Sequence, residues 1–146
     1  LGGADWAYYE TIGGGQGALP TSDGASGRQC HMTNTKATDV EILERLYPLR
    51  VHRMALRAGS AGDGLKNGGM GLVREIEVLT DTTASLLACW RPKGAPGING
   101  GGHGATGEAW VLKSNTWTRW HGEPISLQPG ERIQIKTPGG GAWGKK

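Results

Sequence analysis

Residues able to do acid–base or binding chemistry are concentrated in the first third of the chain. His31 lies in the run Cys30–Thr35 and is a catalytic candidate, because an imidazole can transfer protons near neutral pH. Thr33 and Asn34 follow it, and their hydroxyl and amide groups could hold a carbonyl or amide of a substrate. Glu10 precedes a glycine-rich loop, where a carboxylate at the end of a strand could act as a base. These patterns predict His31 and Glu10 as catalytic residues and Thr33 and Asn34 as substrate-binding residues.

Each candidate also has a structural interpretation. A histidine without a second histidine or carboxylate at ligand spacing is more often structural than catalytic, and Thr33 and Asn34 also suit a turn that leads into a helix. The carboxylate of Glu10 could instead form an ion pair with Arg28 or another basic residue. No Ser–His–Asp or Cys–His set can be assembled from the spacing, and no residues have metal-ligand spacing, so we predict no metal site in the chain.

A glycine triplet, Gly13, Gly14 and Gly15, follows soon after Glu10. Glycine allows backbone N–H groups to approach a phosphate closely. This loop lacks the Lys-Ser/Thr pair of a phosphate-binding loop, however, and Pro20 follows where a helix would begin. A turn with positive φ is therefore favoured over a nucleotide site. The triplet could also line a substrate cavity, and its three residues stay candidates for substrate binding.

The composition indicates a single β-rich domain over residues 1–146. The 146 residues include 27 glycines, six tryptophans and no phenylalanine. The glycines occur in runs between short apolar segments, without a collagen-like period, which is typical of a β scaffold with many loops. We therefore expect a mainly β fold, a β-sandwich or jelly-roll-like domain with glycine-rich loops and one short helix.

The hydrophobic pattern places these elements along the chain. A helix is expected over 39–46, with Thr38 and Glu41 forming a capping box and Pro48 preventing its continuation. Roughly eight or more short strands are expected. The segments 71–80 and 83–90 are predicted to be neighbours joined by a tight turn. The other strand patterns cover 4–12, 49–57, 108–114, 115–121 and 125–138, the last with a turn at Pro129-Gly130.

Charge and cysteine content limit the classes of partner. The net charge is +3, but the basic residues are scattered, so we expect no nucleic-acid partner. No apolar run is long enough to span a membrane and no signal peptide opens the chain, so we expect no membrane association. Cys30 and Cys89 are far apart, and reduced thiols in a cytoplasmic protein are favoured over a disulfide. A chain that begins at Leu1 rather than at methionine suggests a fragment or a cleaved product.

Two other classes of function are compatible with the same sequence. Trp110, Trp117 and Trp120 could form a carbohydrate-binding platform in a free-standing β-sandwich module, since aromatic faces stack on sugar rings. In a protein without phenylalanine, such tryptophans are more often part of the core. The second alternative is a purely structural or oligomerisation domain.

Six sequence blocks, taken in order, resemble the C-terminal portion of the hydantoinase B/5-oxoprolinase family. The resemblance covers nearly the whole chain, and its most specific parts are HMTNT with the helix block after it and TPGGG near the end. The blocks are YYETIGGG (8–15), DGASG (23–27), CHMTNT (30–35), TDVEILERLYPL (38–49), GGMGLVREI (68–76) and LQPGERIQIKTPGGGAWG (127–144).

The resemblance implies a segment of an ATP-dependent hydrolase that opens 5-oxoproline, hydantoin or a related cyclic amide. It implies that ATP and a divalent metal serve the complete enzyme and that this chain alone binds neither. The expected partners are the remainder of that enzyme, namely an A-type ATPase part and an N-terminal B part, and a homo-oligomer is compatible with the same arrangement. The resemblance places Glu10, His31, Thr33 and Asn34 at or near the reaction cavity, with Gly13–Gly15 as a motif loop. We expect the isolated chain to be inactive.

The sequence departs from the family pattern at two places. Cys89 and Trp90 stand where the family tends to have acidic and basic residues, and Met70 stands where an acidic residue is common. These departures leave open which cyclic amide is the substrate.

Overall fold

The computed structural model describes residues 1–30, 35–89 and 92–146. Within these ranges it contains one short helix and seven strands, so the prediction of a mainly β fold with one short helix is confirmed. The elements in chain order are α1 (Val40–Leu46), β1 (Leu49–Leu56), β2 (Leu72–Val78), β3 (Thr82–Ala84), β4 (Glu108–Lys113), β5 (Thr116–Arg119), β6 (Ile125–Leu127) and β7 (Arg132–Lys136).

The strands form two antiparallel sheets. The larger sheet has the order β1-β2-β7-β4-β5, and the smaller one pairs β3 with β6. In β2 the alternation of side chains places Ile76 and Val78 on the buried face, where Ile76 lies opposite Ile133 of β7. Buried residues of both sheets and of α1, among them Leu43 and Leu127, join Trp120 in one hydrophobic cluster. The two sheets and the helix therefore share a core.

The helix lies where the sequence predicts it, but its cap is a different residue. The Oδ1 atom of Asp39 accepts a hydrogen bond from the backbone N–H of Glu41 at 3.1 Å, which makes Asp39 the N-cap. The predicted capping box starting at Thr38 is wrong, because the backbone N–H of Thr38 donates instead to Glu10 Oε1 at 2.8 Å. The carboxylate of Glu10 therefore binds the chain one residue before the N-cap.

Two predicted strands are wrong. Residues 4–12 form no strand, because the chain folds back at once: Gly3 N–H donates to the Trp6 carbonyl, and Gly2 bridges Ala7. The segment predicted as a strand over 83–90 contributes, within its described part, only Thr83 and Ala84 to strand β3. That strand pairs with β6 rather than with β2, because both edges of β2 are already occupied by β1 and β7.

The glycine-rich segments run beside one another without forming strands. Backbone N–H groups link three of them, since Gly69 donates to Gln16 and Gly140 donates to Gly69. A Cβ atom added at Gly15 would overlap the carbonyl oxygen of Gly69. The predicted positive φ in the triplet 13–15 is wrong, because none of its glycines has one. Glycine is required there for close approach between backbones.

The helix α1 is only seven residues long. Among the described residues, no helix has the length and apolar character that a membrane span requires.

Candidate functional site

Glu10 and Arg74 form an ion pair that is almost completely buried. Glu10 Oε2 lies 3.2 Å from Arg74 Nε, and the two side chains are 7% and 1% exposed. The other carboxylate oxygen accepts the hydrogen bond from Thr38 N–H. Glu10 therefore forms the ion pair that its structural interpretation predicts, and its partner is Arg74 rather than Arg28. A buried charge of this kind needs a counter-charge, since water cannot stabilise it.

Arg74 could have been noticed in the sequence. It occupies an inward position of the alternating strand LVREIEV, on the same face as Ile76 and Val78. A charged side chain at such a position indicates a buried partner. The identity of that partner depends on a contact between residues 10 and 74, which no local pattern contains.

The described residues on either side of positions 31–34 are bound by Thr11 and Glu10. His31, Thr33 and Asn34 lie outside the described residues. Before them, Gln29 Nε2 donates to the Thr11 carbonyl at 2.6 Å. After them, Thr35 Oγ1 lies 3.4 Å from Thr11 Oγ1, and Thr38 N–H is bound by Glu10. The structure thus brings Glu10 and Thr11 against both flanks of the segment 31–34.

The glycine triplet is bound to other parts of the protein through its backbone. The Gly13 carbonyl accepts a hydrogen bond from Thr137 Oγ1 at 2.9 Å, and the Gly14 carbonyl accepts one from Arg28 N–H at 2.9 Å. Gly15 N–H donates to the Pro138 carbonyl at 2.9 Å. The loop is consequently fixed in place beside Glu10, and the donor of Gly15 is already used within the protein.

A cavity of about 490 Å³ lies on one side of this loop. We call it the polar cavity and define it by six of its lining residues: Glu10, Ser26, Arg28, Lys36, Met54 and Arg74. Its volume is in the range of small-molecule sites. Glu10 thus connects the buried ion pair with a space large enough for a ligand.

A second cavity, of about 550 Å³, shares Glu10, Thr11 and Ile12 with the polar cavity and is also lined by Gly14 and Gly15. Its walls include Leu86, Trp120 and Ile135, together with both cysteines, Cys30 and Cys89. Tyr8 lines it as well, and burial raises the pKa of Tyr8 to about 12, with the negative charge of Glu10 acting in the same direction. The Tyr8 phenol is therefore neutral at physiological pH.

Glu108 was not among the residues predicted from the sequence. It lines this second cavity, and three donor groups surround its carboxylate. Its oxygens lie 2.7 Å from Arg57 Nη2, 3.4 Å from Arg119 Nη1 and 3.2 Å from Trp110 Nε1. Burial alone would raise the pKa of Glu108, but the Trp110 hydrogen bond and the charges of Arg57 and Arg119 hold this pKa below its ordinary value. Arg57 is 51 positions away, so only the folded chain reveals the cluster.

The three tryptophans do not form one platform. Trp120 is 1% exposed and belongs to the core. Trp110 is covered by two cations, with Arg119 Cζ at 5.2 Å and Lys136 Nζ at 5.9 Å from its ring centre. A carbohydrate platform built from Trp110, Trp117 and Trp120 is therefore not present.

The described residues do not fit a metal or a nucleotide phosphate. In residues 1–30, 35–89 and 92–146, no three His, Cys, Asp or Glu side chains are placed to hold a metal ion. The glycine triplet precedes no helix, and α1 begins only at Val40.

Comparison with known proteins identifies one family and several related proteins. Residues 2–146 match the family described as Hydantoinase B/oxoprolinase. 5-Oxoprolinase 1 of Arabidopsis thaliana is 46% identical over 146 residues, which covers 99% of this chain and 12% of that protein. The 5-oxoprolinase of Dictyostelium discoideum is 45% identical over 141 residues, which covers 95% of this chain and 11% of that protein.

Two solved structures share the fold. The ATP-dependent caprolactamase from Pseudomonas jessenii matches with a TM-score of 0.81 and 26% identity, over 92% of this chain and 24% of that one. Acetone carboxylase in its nucleotide-free state matches with a TM-score of 0.70 and 18% identity, over 90% of this chain and 22% of that one, and shows the fold alone. The chain spans 11% to 24% of the length of these four proteins.

Proposed function

The chain belongs to the Hydantoinase B/oxoprolinase family, and we propose that it forms one wall of the ring-opening site in an ATP-dependent cyclic-amide hydrolase. The observation that carries this proposal is the similarity to 5-oxoprolinase along almost the entire chain. The hydrogen bonds that tie Gln29 and Thr38, on either side of positions 31–34, to Thr11 and Glu10 on the wall of a ligand-sized cavity support it.

The rest of the enzyme supplies what the described residues lack. In this proposal the chain is the C-terminal part of a longer protein and folds as a single β-rich domain. The A-type ATPase part and an N-terminal B part provide the ATP site and the divalent metal. The complete coding sequence tests the placement: a reading frame that continues far beyond this segment, or that contains no ATPase region and no separate ATPase subunit nearby, contradicts it.

The candidate residues have distinct roles in this proposal. His31 transfers a proton during ring opening, while Thr33, Asn34 and the backbone of Gly13–Gly15 line the substrate. Glu10 is a positioning residue, because its carboxylate is occupied by Arg74 and by the N–H of Thr38. Its contribution to catalysis is to fix the segment that contains His31.

Turnover by the complete enzyme tests the role of His31. His31→Ala should lower kcat for ATP-dependent ring opening by about 10²-fold or more, as expected for the loss of a general acid–base group. His103→Ala is the matched control, because His103 is an exposed histidine in another glycine-rich loop. Equal activity of the two variants, with His31→Ala only weakening assembly, would instead favour a purely structural domain.

Three further measurements address the isolated chain and the complete enzyme. The isolated chain should release no ring-opened product from a cyclic amide with ATP, and turnover by it alone would contradict a division of the site among several parts. Light scattering after gel filtration would show whether it forms a homo-oligomer. Cell fractionation of the complete enzyme tests the proposed cytoplasmic location.

A further inference from the structure

The first residues of the chain form a short extended segment that is hydrogen-bonded on both sides. Gly2 exchanges two backbone hydrogen bonds with Thr83 of β3, at 2.9 and 2.8 Å. On the other side, Leu1 exchanges two with Tyr8, at 2.9 and 2.7 Å. The N-terminal segment is therefore held as a strand would be, between β3 and the stretch of chain that begins at Tyr8.

The two neighbours of this segment continue past Leu1 and become walls of the second cavity. One wall comes from residues 8–12 and the other from residues 85–89, and Leu1 itself lines the cavity between them. The pairing with β3 is antiparallel. In this register, a position directly before Leu1 would lie opposite Ser85, and the position before that would lie opposite Leu86. The cavity is thus the straight continuation of the path that the N-terminal segment already follows.

The wall formed by residues 85–89 has backbone groups that face this path without a partner. Along an extended chain these groups alternate between the two sides, so Thr83 bonds to the N-terminal segment while Leu86 N–H donates to the Gly122 carbonyl on the opposite side, at 2.9 Å. The groups of Ser85 and Leu87 accordingly face the path beyond Leu1. Neither of their N–H groups has a hydrogen-bond partner in the described part of the chain. A row of unpaired backbone groups is a template for one more strand.

The side chains on this wall alternate in the same way. Ala84 is buried and Leu86 packs against the hydrophobic core, whereas Ser85 and Leu87 are exposed, Leu87 at 95%. Leu1 lies opposite Ala84 in the register and also packs against the core. A strand that continued from Leu1 would therefore direct every second side chain towards the apolar wall of the cavity.

We propose that the segment immediately before Leu1 in the complete protein forms a strand in the second cavity and pairs with residues 85–87. This inference rests on the proposed function, in which an N-terminal part precedes this chain. The position directly before Leu1 exchanges backbone bonds with Ser85, and the next position back exchanges them with Glu10 on the other wall. That second position lies opposite Leu86 on the core side, so its residue is apolar. The strand joins this domain to the N-terminal part of the enzyme.

The preceding segment is favoured over an independent partner as the occupant of the cavity. Leu1 is already fixed between both walls, so a segment joined to it enters the cavity at a high effective concentration. An independent peptide or a second copy would first lose its translational and rotational freedom. The chain covers 12% of 5-oxoprolinase 1, so a protein of that length has enough additional chain to supply the strand.

A disulfide cross-link in the complete enzyme tests the register. Cysteine replaces the residue directly before Leu1, in combination with Ser85→Cys. The Cα atoms of two residues paired in this way are about 5.5 Å apart, which is within disulfide range. Under oxidised glutathione we expect most of the enzyme to form this link, identified by mass spectrometry of the joined peptides.

Ser126→Cys with the same upstream cysteine is the matched control. Ser126 is also an exposed serine, but it lies on β6, opposite Thr83 and on the far side of β3. Two strand spacings, about 10 Å, separate it from the proposed strand, so no link should form.

Hydrogen exchange tests the pairing without any substitution. The amides of Ser85 and Leu87 should exchange about tenfold more slowly or less in the complete enzyme than in the isolated 146-residue chain, because only the complete enzyme contains the proposed strand. Leu86 N–H is bonded to Gly122 already in the isolated chain, and its exchange should change less.

The outcomes separate this inference from the proposed function. Absence of the link with Ser85→Cys, or equal linking of Ser85→Cys and Ser126→Cys, would overturn the strand and leave the ring-opening function intact. Protection of Ser85 and Leu87 without the link would assign the cavity to another part of the enzyme or to a second copy, and would overturn the strand too. A specific link in an enzyme that opens no cyclic amide would retain the strand and refute the proposed function.

Discussion

The buried Glu10–Arg74 pair allows a prediction of large size, made with the substitution Glu10→Gln. Glutamine is nearly the same shape as glutamate and can still accept the hydrogen bond from Thr38 N–H, so the loss is confined to the negative charge. Arg74 then stays charged at 1% exposure without its counter-ion. Removing one partner of a buried ion pair costs about 3–5 kcal/mol. This is a large share of the roughly 5–15 kcal/mol that stabilises an ordinary domain.

Urea unfolding of the variant and wild type at pH 7 measures this cost. The midpoint should fall while the slope of free energy against denaturant stays the same, since the exposed area on unfolding is unchanged. Asp63→Asn is the matched control, because Asp63 forms its ion pair with Lys146 at the surface. An exposed pair contributes about 0–1 kcal/mol. Near-equal losses in the two variants would refute the argument that the Glu10 charge is buried and paired.

A double substitution separates charge from packing. Arg74→Met, combined with Glu10→Gln, removes the uncompensated charge and keeps an apolar side chain of similar length. We expect the double variant to be more stable than Glu10→Gln alone, because replacing both members of a buried pair is often nearly neutral. If the double variant is the less stable of the two, the loss in Glu10→Gln comes from something other than the unpaired charge.

Three further predictions concern the glycine loop and the two titrating groups. Gly15→Ala should destabilise the chain by more than about 2 kcal/mol through overlap with Gly69, whereas Gly17→Ala, whose added Cβ meets nothing nearer than 3.8 Å, should be neutral or slightly stabilising in the same unfolding assay. The pKa of Glu108 is lowered from 4.5, so its stabilisation is present above that pH and is lost as the pH falls further. Glu108→Gln should accordingly flatten the loss of thermal stability in acid, and an unchanged acid profile would contradict the cluster. The pKa of Tyr8 is raised from 10.0 to about 12, so its stabilisation is present below pH 10 and is lost as the pH rises towards 12. Absorbance titration near 295 nm should show one late tyrosine that disappears in Tyr8→Phe; its persistence would assign the late group to another tyrosine.

The parts of the fold that depend on neighbouring residues were predictable from the sequence. The helix at Val40–Leu46 and the strand at Leu49–Leu56 follow from local periodicity, and both lie within or near their predicted ranges. The N-cap was misplaced because Thr38 and Asp39 are both good caps, and a distant carboxylate decides between them by binding the N–H of Thr38. The strand predicted over 4–12 is absent for a similar reason. The chain folds back in a turn at this point, and the aromatic residues of the segment do not indicate that turn.

The glycines illustrate a different limit of sequence reasoning. The number of glycines can be counted in the sequence. A positive φ and a close approach between backbones both require glycine, so the sequence alone does not distinguish these two causes. Only the contacts of Gly15 with the segments around Gly69 and Gly140 show that close approach is the reason in the triplet. The candidate site was limited in the same way, since Arg74 is far along the chain from Glu10 and Glu108 is 51 positions from Arg57.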